Sequence, residues 1–274
     1  MTGYTCNEKD LIQKGPGPDY WRAPIDNDFG FGMPAKMGIW RNTAENRTLE
    51  EYDITLQGPE KGVSFTYHLL DSTERHIATT QVAYQVNNDG EIRVQHSFRK
   101  TDDELPEIPR MGMTLIMPRE FDQMEWYGRG PHESYQDRNT SAFVDVYAGS
   151  VAQQYQPYLR PQENGNKTDV RWMKITNKEG IGLMFLGKGL LEVSAHHNLL
   201  EDFESPFDEN GRMLNGPDTH RHTVDVKPRD LTAVDVDFKQ MGVGGDNSWG
   251  ATPHEQYRLT DSAYSYQFMI KPLD

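Results

Sequence analysis

Three short segments of this 274-residue chain each combine an aromatic ring, glycines and planar polar side chains: Trp21-Arg-Ala-Pro-Ile-Asp-Asn-Asp-Phe-Gly30, Trp126-Tyr-Gly-Arg-Gly-Pro-His-Glu-Ser-Tyr135 and Met241-Gly-Val-Gly-Gly-Asp-Asn-Ser-Trp249. A pyranose offers a C–H face that packs on an aromatic ring and a rim of hydroxyls that need paired donors and acceptors, which Asp, Asn, Arg and Glu supply. The bland reading stands beside this one: a tryptophan in a β protein is usually core, glycines make turns, and Asp or Asn caps them. Any one segment alone favours the bland reading, and their co-occurrence favours carbohydrate. Gly242, Gly244 and Gly245 superficially suggest a phosphate loop, but no Lys-Ser/Thr follows and no helical pattern opens there, so nucleotide binding is excluded.

Other residue sets could carry chemistry and are weighed the same way. Arg129, His132 and Glu133 form an acid–base cluster on paper. Pro131 makes a rigid corner there, and the expected outcome is an internal Arg129–Glu133 ion pair with His132 in a hydrogen bond. Glu133 and Asp137, four residues apart, are weak evidence for paired catalytic carboxylates. Asp26, Asn27 and Asp28 read mainly as a turn network. Of His196-His197 and the later His220-Arg-His222 neither pair is expected to chelate together, since adjacent strand residues point to opposite faces, and none of the other histidines has a recognised ligand spacing, so no metal is assigned. Cys6 is the single cysteine, which excludes an internal disulfide and a cysteine cage and leaves the redox compartment open.

The elements that must position these residues are strands. Val63, Phe65, Tyr67 and Leu69 alternate on one face, and Val82–Val86 turns through Asn87-Asn-Asp-Gly90 into Ile92–Phe98. Val170–Ile175 turns through Asn177-Lys-Glu-Gly180 into Ile181–Phe185; Val234, Val236 and Phe238 alternate with Asp235 and Asp237; Tyr264, Tyr266, Phe268 and Ile270 form a closing strand. No apolar stripe of helical period and length occurs. The expected fold is all-β, a large antiparallel β-sandwich of two packed sheets, with a lead-in over 1–19 and one domain over 20–274. Residues 15–47, 127–169 and 196–220 read as long functional loops. A net charge of −14 disfavours nucleic acid and anionic lipid, and no run approaches the roughly 20 apolar residues of a membrane span. Met1-Thr2-Gly3 opens no signal peptide, which suggests a fragment or a mature form.

Trp-Arg-Ala-Pro-x-Asp-Asn-Asp, Tyr-Gly-Arg-Gly-Pro-His-Glu and Met-Gly-x-Gly-Gly-Asp-x-Ser-Trp, in this order and with Pro157-Tyr158 and Pro161-Gln-Glu-Asn-Gly165 between them, resemble the C-terminal, small-chain-like fifth domain of the large β-galactosidases of glycoside hydrolase family 2. The resemblance runs from about Tyr20 to the end. It implies a supersandwich similar to galactose mutarotase, at the end of a longer chain whose barrel holds the catalytic glutamates. This segment then has no catalytic residue of its own. The resemblance implies that Trp249 stacks on substrate in the neighbouring active site, that Gly30 and Phe31 begin an active-site loop, and that Asp246, Asn247, Asp28, His132 and Glu133 are further candidates for polar contact. Phe31-Gly-Met-Pro34 departs from the family form. Magnesium, and sodium beside it, would be bound by other domains; the partners would be the barrel, the other parent domains and a galactoside, in a homo-oligomer of the bacterial cytoplasm or periplasm. Two rivals remain: a free-standing aldose 1-epimerase, needing a histidine and a carboxylate in a concave sheet, and an autonomous carbohydrate-binding module with Trp249 and Trp40 as its platform. The β-galactosidase reading expects Trp249 in an exposed patch.

Overall fold

The computed structural model describes residues 1–56, 58, 61–214, 222–247 and 249–274. The described strands are β1 (Thr5–Cys6), β2 (Lys9–Asp10), β3 (Lys14–Asp19), β4 (Arg47–Thr55), β5 (Lys61–Leu70), β6 (His76–Val86), β7 (Ile92–Lys100), β8 (Arg110–Met117), β9 (Gln123–Gly130), β10 (Phe143–Ser150), β11 (Lys167–Thr176), β12 (Gly182–His196), β13 (Thr232–Gln240) and β14 (Ala263–Leu273). Helix is confined to short pieces: α1 (Asp26–Phe31), α2 (Met33–Met37), α3 (Leu200–Phe203) and single 3-10 turns. Among the described residues no helix is long and apolar enough to cross a membrane.

The two expected hairpins form for one local reason. Asn87 Oδ1 accepts from the backbone N–H groups of Asp89 and Glu91, and Asn177 Oδ1 from those of Glu179 and Ile181. Each turn closes on a glycine with positive φ, Gly90 at 79° and Gly180 at 89°. In β7 the period of two places Ile92, Val94, His96 and Phe98 inward, and in β14 it buries Tyr266, Phe268 and Ile270.

β1 and β2 pair by themselves, and the other twelve described strands form one antiparallel sheet that curls into the two layers of the expected all-β sandwich. Its order is β10-β9-β11-β12-β14-β7-β6-β5-β4, with β13 on β12, β8 on β13 and β3 on β8. The 15-residue β12 belongs to both layers: Gly182–Gly187 pairs with β14, and Glu192–His196 pairs with β13. The strand changes partner at Gly187, where a Cβ would lie 2.2 Å from the Gly189 carbonyl oxygen, a bend that requires glycine.

One core fills the curl and includes Leu11 and Ile12 from the lead-in, whose β3 is a strand of the same sheet. Trp21, Trp40 and Trp126 lie in it with at most 1% of their surface exposed. The stretches expected as long loops carry elements: 15–47 holds α1 and α2, 127–169 holds β10, and 196–220 holds α3.

Candidate functional site

The three motifs meet at one end of the sheet through buried polar contacts. Arg22, fully buried, gives Nη2 to both oxygens of Asp28 at 2.9 and 3.0 Å, and its Nη1 and Nη2 also donate to the carbonyls of Met241 and Gly242. This binds the first motif to the third. Asp28 Oδ2 further accepts the Ile25 N–H and so fixes the start of α1. Burial drives the Asp28 carboxyl up although Arg22 opposes it. Asp28 is thus an internal strut with 1% exposure and is removed from the candidate sugar contacts. Asp137 ties in the second motif: its carboxylate accepts the N–H groups of Val243 and Gly244 at 3.0 and 2.7 Å. Asn27 Nδ2 donates to the Val243 carbonyl, and Asp26 pairs with Arg160.

At the Pro131 corner the expected Arg129–Glu133 pair does not form. Arg129 Nε binds Asp169 at 2.5 Å, because β9 and β11 are neighbours, and Glu133 turns the other way to Arg138, the Tyr158 hydroxyl and the Gly165 N–H. His132 is exposed and bonds Ser141. Glu133 is therefore a bracket between segments with its acceptor sites occupied, and it is not paired with His132.

Trp249 stands apart. Its side chain is 90% exposed, although Asn247 Oδ1 accepts its N–H at 2.9 Å and so shapes the loop. Asp246 bonds His254 and is exposed beside it. The loop rests on α1: a Cβ at Gly250 would lie 3.1 Å from the Gly30 carbonyl oxygen. Gly30 and Phe31 are the last residues of α1 rather than the start of a loop, since Gly32, at φ 78°, ends the helix and Pro34 opens the next. Gly30 is exposed beside the Trp249 loop, whereas Phe31 is buried in the core. Trp40 is wholly buried and offers no platform.

A family model described as beta galactosidase small chain matches residues 1–270. The chain belongs to the β-galactosidase small-chain family. It is similar to the β-galactosidase of Priestia megaterium, 37% identical over 271 residues that cover 98% of this chain and 24% of that protein. The β-galactosidase of Streptococcus thermophilus is 32% identical, with 98% and 25% covered. The chain thus spans about a quarter of the length of these curated relatives. Among solved structures, the galactose 1-epimerase of Lactobacillus acidophilus aligns over 81% of this chain and 65% of its own at 8% identity, with a TM-score of 0.40.

Several polar groups of this small-chain fold carry no signal in the sequence pattern. Arg110, 3% exposed, is ringed by Asp237 at 2.9 Å, Asp235 at 3.0 Å and Asp19 at 3.1 Å. Glu163 is pushed up to about 7 by burial, against the pull of Arg110 and Arg22. It reaches an inner cavity of about 40 Å³ lined also by His196, Asp235 and Ser194. That volume suits one or two waters and is too small for a sugar, so this meeting of a histidine and carboxylates lacks the room an epimerase needs. His196 and His197 are buried and bond the carbonyls of Asn164 and Leu231; His220 lies outside the described residues. Among the described residues no group of three or more His, Cys, Asp or Glu is placed to hold a metal ion.

Proposed function

We propose that this chain is the small-chain portion of a β-galactosidase, and that it completes the parent's active site with Trp249 while the rest of the parent supplies the catalytic carboxyls. In retaining hydrolysis one carboxyl protonates the leaving oxygen and the other forms the glycosyl-enzyme that water releases. Neither role falls to a residue placed here. This chain's part is to present an indole face to a pyranose, to cover one side of the pocket and to keep water from it. The observation that carries the reading is the 90% exposure of Trp249 on a loop fixed at both sides, by Asn247 and by α1. Burying that indole against a partner and a sugar would contribute on the order of 3 kcal/mol, which the chain alone forgoes.

The test is hydrolysis of a chromogenic β-galactoside by the chain alone and after mixing with the rest of its parent. Activity is expected only in the mixture. Trp249→Ala should lower kcat/KM of the mixture ~10- to 100-fold, mainly through KM, with Trp249→Phe recovering part of the loss. Hydrolysis by the chain alone, or full activity of the alanine variant, would overturn the reading.

A further inference from the structure

A second cavity, of about 170 Å³ and open to solvent, lies beside the first turn of α1, where the motif segments meet. An apolar cavity of similar size holds one benzene ring, so the space suits one six-membered ring. Its walls are of two kinds. Ile25, Tyr135 and Val243 form a small hydrophobic cluster separate from the main core, and all three line the cavity. Around them stand Asn27, Arg138, Tyr158 and Glu163. Arg138 is neutralised by Glu133, and Asp26 at the rim by Arg160. Glu163 is the exception. Among the described residues its hydrogen bonds are long ones, from the Tyr135 hydroxyl at 3.4 Å and Gln240 Nε2 at 3.5 Å, and no cation lies within salt-bridge distance of it.

We propose that this cavity is a binding site for one neutral pyranose ring, whose C–H face packs on the Ile25, Tyr135 and Val243 cluster and whose hydroxyls bond Glu163 and the polar rim. A carboxyl held between its charged and neutral forms accepts from a hydroxyl in one state and donates to it in the other, which hydroxyls match and a fixed cation or anion does not. Phosphate is disfavoured by the two carboxyls. Asn27, which lines the cavity, stands three residues before Gly30 on α1, roughly 4.5 Å at helical rise, so the cavity and the Trp249 loop share one rim. The inference goes beyond the complementation reading. Binding is a property of this chain alone, and failure of either leaves the other standing.

The experiment titrates the chain with methyl β-D-galactopyranoside while following the side-chain amide resonances of Gln162, which also lines the cavity, by NMR. Saturable shifts with a Kd on the order of 1 mM are expected. Asn27→Phe, which sets a ring in the cavity, should abolish them, and Trp249→Ala should leave them unchanged. Glu163 is faced by Arg110 and Asp235 from the sheet, by Arg22, and by Tyr135 and Gln240. Ionisation near pH 7 makes it the stronger acceptor, so affinity should rise several-fold from pH 6 to 8 and be flat in Glu163→Gln. Because that variant replaces a partly neutral buried acid with a neutral isostere, it keeps the fold. Silent Gln162 resonances up to the solubility of the sugar, unchanged binding by Asn27→Phe, or equal competition by methylammonium would overturn the proposal.

Discussion

Arg110→Met is expected to lower the stability of the chain by about 3–5 kcal/mol or to leave it unfolded, because it strips the buried cation that Asp237, also buried, shares with the part-buried Asp19 and Asp235. Arg110 opens β8, and its guanidinium reaches Asp237 with Nε and Nη2, Asp235 with Nη2 and Asp19 with Nη1, so a single side chain joins β3, β8 and β13. Burial works against the charge of Arg110, but the three aspartates outweigh it and hold its pKa well above the usual value. Burial pushes Asp237 and Asp19 up, while Arg110, Thr114 and Ser194 hold Asp235 below the ordinary range. Without the guanidinium all three must take up protons or water. The buried Trp21, Trp40 and Trp126 make urea unfolding readable by fluorescence. Adding Asp237→Leu to Arg110→Met should recover part of the loss, since it removes the most buried orphan, and the double-mutant cycle gives the coupling. A single variant within about 1 kcal/mol of the parent protein would show that water already neutralises the cluster. Gly112→Ala tests the same contact from the other side. Its Cβ would fall 1.8 Å from Asp237 Oδ1, so the carboxylate must leave Arg110 or the strand must shift, with an expected cost of about 2 kcal/mol in the same assay.

What could be read beforehand follows from how local the cause is. The β6–β7 and β11–β12 turns were legible because an asparagine and a glycine settle each within four residues. β10 was hidden inside a supposed loop because it is an edge strand: Phe143, Val144 and Val146 are all exposed, so no buried face imposes an alternation on it. β8 does carry Met111, Met113, Leu115 and Met117 at a period of two, but it is buried on nearly all sides, so the alternation marks no solvent face. At the site, the exposure of Trp249 was legible from its glycine-rich setting and motif. The Arg129–Glu133 pair failed because partners are chosen across the sheet: Asp169 is 40 residues away in sequence but on the adjoining strand. Glu163 was visible only as part of a Pro-Gln-Glu-Asn-Gly match. Its character comes from burial, against Arg110 and Arg22 and beside Asp235, a setting that sequence distance alone cannot assemble.

Those buried acids also set an expected pH profile: stability should fall by about 2 kcal/mol between pH 6.5 and 8 and be lowest near pH 8. Glu192, 4% exposed on β12, is pushed up to about 8 by burial; its Oε2 accepts from Asn166 Nδ2 at 3.2 Å and the Gln240 N–H at 3.3 Å. Both Asn166 and Gln240 also hold a side-chain oxygen without a donor, as suits neighbours of a protonated carboxyl. A folded-state pKa above the unfolded 4.5 means that the contribution is complete below 4.5 and is lost as pH rises through about 8; Glu163, at about 7, has the same sign. Below 6.5 an opposing term acts. Burial lowers His96 to about 3 and lowers His196, so the fold gains stability from them as pH rises toward 6.5, which offsets the acids there. Above 8 the sign turns again, because burial holds Lys167 down to about 8 from 10.5 and the fold gains as the unfolded chain loses that proton later. Between 6.5 and 8 the two glutamates act with little opposition. Glu192→Gln keeps the acceptor and removes the ionisation, so its urea midpoint should fall by less than half as much across that interval, through Glu163 alone, and exceed the parent protein's at pH 8. A parent midpoint that climbs from pH 6.5 to 8 would mean that Glu192 is already ionised in the fold, and then the Asn166 and Gln240 donors, rather than its proton, are what stabilise β12 against β13.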